Sequence, residues 1–129
     1  MAQIKIFGLR SELDPIKQRL SATIHACVVE ALALPLEKRF QRFFPLAAED
    51  FLFPADRSAR YLIIEVSLFE GRSIETKKRL IGLLFSRLHQ EFDLAPNDVE
   101  ITLTETPRAN WEIRGQPGDE LGLNYAVNV

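Results

Sequence analysis

Hydrophobic and polar positions alternate along Gln3-Ile4-Lys5-Ile6-Phe7, the mark of a half-buried strand. A joint over Gly8 to Leu13 leads to Asp14-Pro15, a pair that starts helices because Asp accepts from free backbone amides and proline at the first helical position gives up no hydrogen bond. The stripe Ile16, Leu20, Ile24, Val28 and Leu32, with Cys27 and Ala31 beside it, recurs at helical spacing and predicts one buried face, closed at Leu34-Pro35. A second strand is expected over Arg39 to Phe44. Residues 46 to 60, carrying Pro54, Asp56 and Ser58, read as a connection.

The same order then returns. Tyr61 to Phe69 is a nearly continuous apolar strand, Glu70-Gly71-Arg72-Ser73 is the joint, and Ser73 is placed to cap a helix whose apolar face is Leu80, Ile81, Leu84, Phe85, Leu88 and Phe92. Ala95-Pro96 closes it, and Val99 to Thr104 alternates as a strand. Arg10-Ser11 answers to Arg72-Ser73, Arg19-Leu20 to Arg79-Leu80, and Leu34-Pro35 to Ala95-Pro96, so the chain reads as one β-α-β unit written twice. The expected architecture is α+β: a single domain over 1–129, with halves at about 1–45 and 61–113, a four-stranded sheet, both helices on one face and a C-terminal tail. In that tail Leu123 to Val129 is expected to add an edge strand. Because Tyr61 to Phe69 is apolar on both sides, a second subunit is expected to cover the other face of the sheet.

Composition narrows the function classes. A chain of 129 residues can bury an adequate core without staples. Its net charge of −2 argues against a task of neutralising phosphates on nucleic acid or an anionic membrane, and no apolar run approaches the roughly 18 residues of a membrane span, so neither nucleic acid nor membrane is expected as a partner. A single cysteine, Cys27, excludes an internal disulfide and a cysteine zinc site, which fits a cytoplasmic setting. No glycine-rich phosphate loop and no metal-ligand cluster is present in the pattern. His25 and His89 border helical stripes and are read as surface or structural, and Cys27 as a small core residue.

Candidate chemistry centres on Arg72. A guanidinium at a helix start forms a fork for a carboxylate, whereas the bland reading pairs it with Glu70 or Glu75. In Lys38-Arg39-Phe40-Gln41-Arg42-Phe43-Phe44, strand alternation puts Lys38, Phe40, Arg42 and Phe44 on one face. Taken alone, Lys38 and Arg42 there read as surface charges flanking core phenylalanines. Trp111 is a pocket wall or packing under the tail.

From Leu62 to Gln116, the joint Glu70-Gly71-Arg72-Ser73, the helix start Ile74-Glu75-Thr76-Lys77, then Ala95-Pro96, Val99-Glu100-Ile101 and Trp111 before Gly115 resemble the short subunit of 4-oxalocrotonate tautomerase. The whole chain resembles longer, fused members of the tautomerase superfamily such as malonate semialdehyde decarboxylase. The resemblance implies a homotrimer and cofactor-free chemistry on small carboxylates, centred on an amino-terminal proline exposed by removal of the initiating methionine. This chain begins Met1-Ala2-Gln3 and has no proline before Pro15, so the matching group is the α-amine of Ala2 once Met1 is removed. By the same resemblance Arg72 is the substrate-binding arginine, Trp111 an aromatic wall, and Arg42 and Lys38, on the strand face of the decarboxylase aspartate, candidate second anion contacts. Glu70 stands where the decarboxylase has an arginine and Lys38 where it has its catalytic aspartate, which argues against decarboxylation of malonate semialdehyde. The leading expectation is a cofactor-independent tautomerase-type enzyme for a small 2-oxo or enol carboxylate. The alternative is a non-catalytic trimer of the same fold that binds small anions or serves as an interaction module. A third reading takes the order βαββαβ as a ferredoxin-like RNA-binding module with Arg42, Phe43 and Phe44 on its sheet, against which the acidic balance argues.

Overall fold

The computed structural model describes residues 1–129. Its main sheet has the order β2-β1-β3-β4, built from β1 (Ala2–Leu9), β2 (Gln41–Leu46), β3 (Leu62–Phe69) and β4 (Val99–Thr106). Within each half the strands run parallel, β1 with β2 and β3 with β4, and the halves join through the antiparallel pair β1 and β3. The crossovers are α2 (Lys17–Leu32), preceded by the short turn α1 (Arg10–Leu13), and α3 (Ile74–Phe92). The doubled β-α-β order is therefore correct.

The two helical stripes meet on the sheet. Leu20, Ile24, Cys27, Val28 and Leu32 of α2, and Leu80, Leu84, Leu88 and Phe92 of α3, share one core with Ile4, Ile6, Ile64 and Val66. Both helices end on a left-handed residue, Ala33 (φ 52°) and Asp93 (φ 55°), one position before Leu34 and Leu94. Those two leucines fold back into the core, so the repeat extends to the helix stops. His25 is buried with Nε2 2.6 Å from the Leu36 carbonyl, a structural role for a polar side chain inside the fold.

Three expectations need correction. The first helix does not run unbroken from Asp14: a 3₁₀ turn over Asp14–Ile16 separates α1 from α2. The second strand starts at Gln41 because the Lys38 amide closes a turn on the Pro35 carbonyl and pairing to β1 begins where Ile4 donates to the Phe40 carbonyl. That leaves Pro45 on an edge strand, where its missing N–H is tolerated. The tail adds no edge strand. It forms the hairpin β5 (Glu112–Ile113) and β6 (Gln116–Pro117), then runs irregularly, because Leu121 and Val127 are each buried separately instead of alternating along a ladder.

The sheet face away from the helices is more polar than the pattern of β3 alone implies. Across the register, Phe7 stacks on Phe44 at 4.6 Å beside Ile63, while Lys5, Arg42, Glu65 and Thr102 form a polar row. Since the core seals both helices to the sheet through fully buried leucines, Leu80→Ala should lower unfolding free energy by about 2 to 5 kcal/mol in urea melts, with the slope of the transition unchanged.

Candidate functional site

The antiparallel register sets Ala2 opposite Leu68, which brings the start of the chain to the end of β3, and the Phe69 amide donates to the Met1 carbonyl at 3.4 Å. The joint Glu70-Gly71-Arg72-Ser73 follows at once. Gly71 takes φ +129°, a bend reserved for glycine, and Ser73 caps α3 by accepting from the Thr76 amide at 3.1 Å. Arg72 is thereby turned inward. It is 5% exposed, forms no ion pair, and makes one hydrogen bond, from Nη1 to the Phe69 carbonyl at 3.3 Å. Its Nε and Nη2 are buried without partners. The expected alternatives of Glu70 or Glu75 as ion-pair partners are not realised, since neither forms a salt bridge. A buried guanidinium with free N–H groups is costly unless an anion completes it, and such groups mark places where a ligand is expected.

Met1 lies beside it, 6% exposed, packed with Phe69 and Val127 and flanked by Trp111. Trp111 meets Phe69 edge to face at 5.0 Å, and Arg108 spreads over the other part of the Phe69 ring at 5.5 Å while its Nε donates to the Gly118 carbonyl at 3.0 Å. The Met1 amine contacts the Tyr125 hydroxyl. Burial first, then the charges of Arg72, Arg108 and Lys38, hold the amine's pKa down to about 5 from an ordinary 8.0. At neutral pH it is therefore a free base. Burial also works against the charge on Arg72 and pushes the Tyr125 phenol up, against the opposing pull of Arg72 and Arg108.

A cavity of about 210 Å³ opens beside the amine, lined by Met1, Lys38, Arg114, Leu123 and Tyr125 among others. It is large enough for a small organic acid. Arg72, Phe69 and Trp111 do not line this cavity but lie on the other side of Met1, so the corner gathers cations, one neutral amine and one phenol, an arrangement suited to holding a carboxylate while a proton moves on and off a neighbouring atom. No group of three or more His, Cys, Asp or Glu side chains is placed to hold a metal.

Of the residues singled out by sequence, Arg72, Lys38 and Trp111 come together at the chain start, and Ala2 follows Met1 into β1 with its side chain in the core. Arg42 lies apart. Its Nη2 donates to Gln3 Oε1 at 3.1 Å, in an exposed cleft shared with Arg39, Phe40 and Gln41. Lys38 and Arg42 do not share a strand face, because Lys38 belongs to the turn before β2. Arg108 and Tyr125 escaped the sequence reading. Arg108 follows Pro107 just past β4, and Tyr125 is a lone ring in a polar, glycine-bearing tail; an aromatic residue in such a tail is the one available sign that the tail packs on something.

Known proteins bear on this geometry. The chain is 29% identical over 114 residues to the probable tautomerase YusQ of Bacillus subtilis (strain 168), covering 84% of this chain and 88% of that protein. The structure of FG41 malonate semialdehyde decarboxylase inhibited by 3-bromopropiolate is similar with a TM-score of 0.75 and 29% identity, over 85% of this chain and 87% of that one. The F6 fused 4-OT, solved as an asymmetric trimer, shares the fold with a TM-score of 0.82 at 20% identity, over 94% and 99% of the two chains. The family model described as tautomerase enzyme matches residues 38–114, more than half of the sequence and most of the site. The chain belongs to the tautomerase enzyme family.

Proposed function

We propose that the protein is a cofactor-independent tautomerase that interconverts keto and enol forms of a small 2-oxo carboxylate. The observation that carries this reading is Arg72, almost wholly buried with two unpartnered nitrogens beside an amine that burial and cations keep neutral. Arg72 takes the carboxylate, Lys38 adds positive field, and Trp111 with Phe69, packed behind Met1, lowers the local dielectric. The amino-terminal amine moves the proton. It is Met1's in the chain as it stands and Ala2's once Met1 is removed, and Ala2 is small enough to permit that removal. Trimming also vacates the Met1 side-chain volume between Phe69 and Val127. Arg42, in its separate cleft, has no part in this cluster.

A primary amine in place of proline favours a second reading, a trimer that binds small anions without turnover. Ketonisation of phenylenolpyruvate separates the two. Turnover is expected, and Arg72→Gln should lower kcat/KM by about 10- to 100-fold with the melting temperature little changed. Tight binding of 2-oxo acids with no turnover by either the intact or the methionine-free protein, identified by mass spectrometry, sinks the enzymatic reading.

The amine also sets a pH dependence. Its pKa is lower in the folded chain than in the unfolded one, so between pH 8 and pH 5 the unfolded chain binds more protons and stability falls as pH falls. For the chain that keeps Met1, the rate should be flat above about pH 6 and decline on an acid limb centred near pH 5. A limb near pH 8 rules out the buried amine as the base.

We also propose that the protein works as a homotrimer, supported by its likeness to the trimeric F6 fused 4-OT and by exposed Leu36, Phe40, Leu52 and Ile74. Light scattering at micromolar concentration should give three times the 14.7 kDa of one chain, and a monomer mass refutes it.

A further inference from the structure

The tail beyond β6 has no regular structure, yet it is pinned. Leu121 and Val127 are buried, and the Val129 main-chain oxygen accepts from Ser73 Oγ at 3.1 Å and Thr76 Oγ1 at 2.5 Å. Asn128 and Val127 press on Gly71 so closely that a Cβ there would stand 2.5 Å from Asn128 Oδ1 and 3.1 Å from Val127 Cγ1. A strap latched to the start of α3 therefore crosses the joint that carries Arg72. Tyr125 is the strap residue that faces inward: its hydroxyl contacts the amine, it lines the cavity, and its ring packs against both apolar clusters.

Resting on the tautomerase reading, the amine and Arg72 leave one requirement unmet. Charge that develops on the 2-oxo oxygen needs a donor placed in advance, and Arg72 is committed to the carboxylate. We propose that Tyr125 is a catalytic residue that donates its hydroxyl proton to the 2-oxo oxygen of the substrate, held in position by the latch of Val129 on Ser73 and Thr76. In the enolising direction the amine removes a proton from carbon 3, and the C–H electron pair becomes the C2–C3 double bond. The carbonyl pair moves onto oxygen, which takes the phenolic proton to give the enol. In the chain that keeps Met1, the ammonium then returns its proton to the phenolate through the contact between them, so amine and phenol are both restored. Ketonisation is the same sequence reversed.

The test compares phenylpyruvate with 3-phenylpropionate, which lacks the 2-oxo oxygen, by titration calorimetry alongside phenylenolpyruvate kinetics. The parent should bind the 2-oxo acid about 10-fold tighter than the other. Tyr125→Phe keeps the ring and removes the donor: the preference should shrink to within about twofold, and kcat should fall about 10- to 100-fold while KM moves by less than about threefold. Thr76→Val loosens the latch at a distance from the cavity and should give an intermediate loss of both. The proposal is overturned if the parent shows no preference, if Tyr125→Phe retains it, or if that variant turns over within twofold of the parent. Failure of the carboxylate reading looks different: Arg72→Gln would then bind both acids as tightly as the parent, leaving the Tyr125 comparison intact.

Discussion

The antiparallel pairing of β1 with β3 is the constraint from which the site follows. Because Ala2 stands opposite Leu68, the beginning of the chain can lie nowhere else than beside the bend that ends β3. An antiparallel pair also has a second end, where Gly8 stands opposite Leu62. There the repeat offers Arg10-Ser11 in the place of Arg72-Ser73, but Arg10 is exposed and donates to the Pro45 carbonyl at 3.1 Å. The residue before β3 is no terminus: Tyr61 continues into the connection and is packed between Phe51 and Phe53 at 5.7 and 5.2 Å. The doubled architecture therefore makes two similar corners and gives an amine to one.

At that corner electrostatics works against the folded state. Arg72, Arg108 and Lys38 all oppose a charge on the amine, and the acid that acts on Arg72, Glu105, is already paired with Lys77 at 2.7 Å. Elsewhere one buried side-chain nitrogen, Arg57 Nε, lacks a partner, but other buried polar groups are paired, as where Asp98 accepts from the Ser58 amide at 2.8 Å and from its hydroxyl at 2.5 Å. The contrast matters because, of the three buried side-chain nitrogens without partners, two belong to Arg72, so most of the unmet demand lies where a ligand can meet it.

Much of this was legible in the sequence, and the division has physical reasons. Strands and helices announced themselves because one face of each is buried, so Leu20, Ile24 and Val28, or Leu80, Leu84 and Leu88, repeat at the helical period. Arg72 was legible because Gly71 and Ser73 explain the bend and the cap but not the arginine between them. Arg108 and Tyr125 were not, since each is fixed by long-range packing: one lies over Phe69, nearly forty positions earlier in the chain, and the other touches Met1. Lys38 is singled out by its place opposite the decarboxylase's aspartate and by an alternation that sets it on a strand face with Arg42; the alternation does not hold, because Lys38 reaches the site from a turn closed on Pro35.

The joint joins these levels because Ser73 has two duties. As the cap of α3 its oxygen accepts from the Thr76 amide, and as part of the latch its hydroxyl donates to the Val129 main-chain oxygen, with Thr76 donating to the same oxygen. A hydroxyl can do both at once because it has lone pairs for the amide and a proton for the acceptor oxygen. Ordering the first turn of α3 therefore presents the donors that seat the strap, and a seated strap presses Val127 and Asn128 onto Gly71 and shields Arg72 from water. The helix start and the closed strap stabilise one another, and together they keep the guanidinium dry at a cost to the fold. Disturbing any one of them should be felt at the amine, whose depressed pKa depends first on that burial and then on the cations around it.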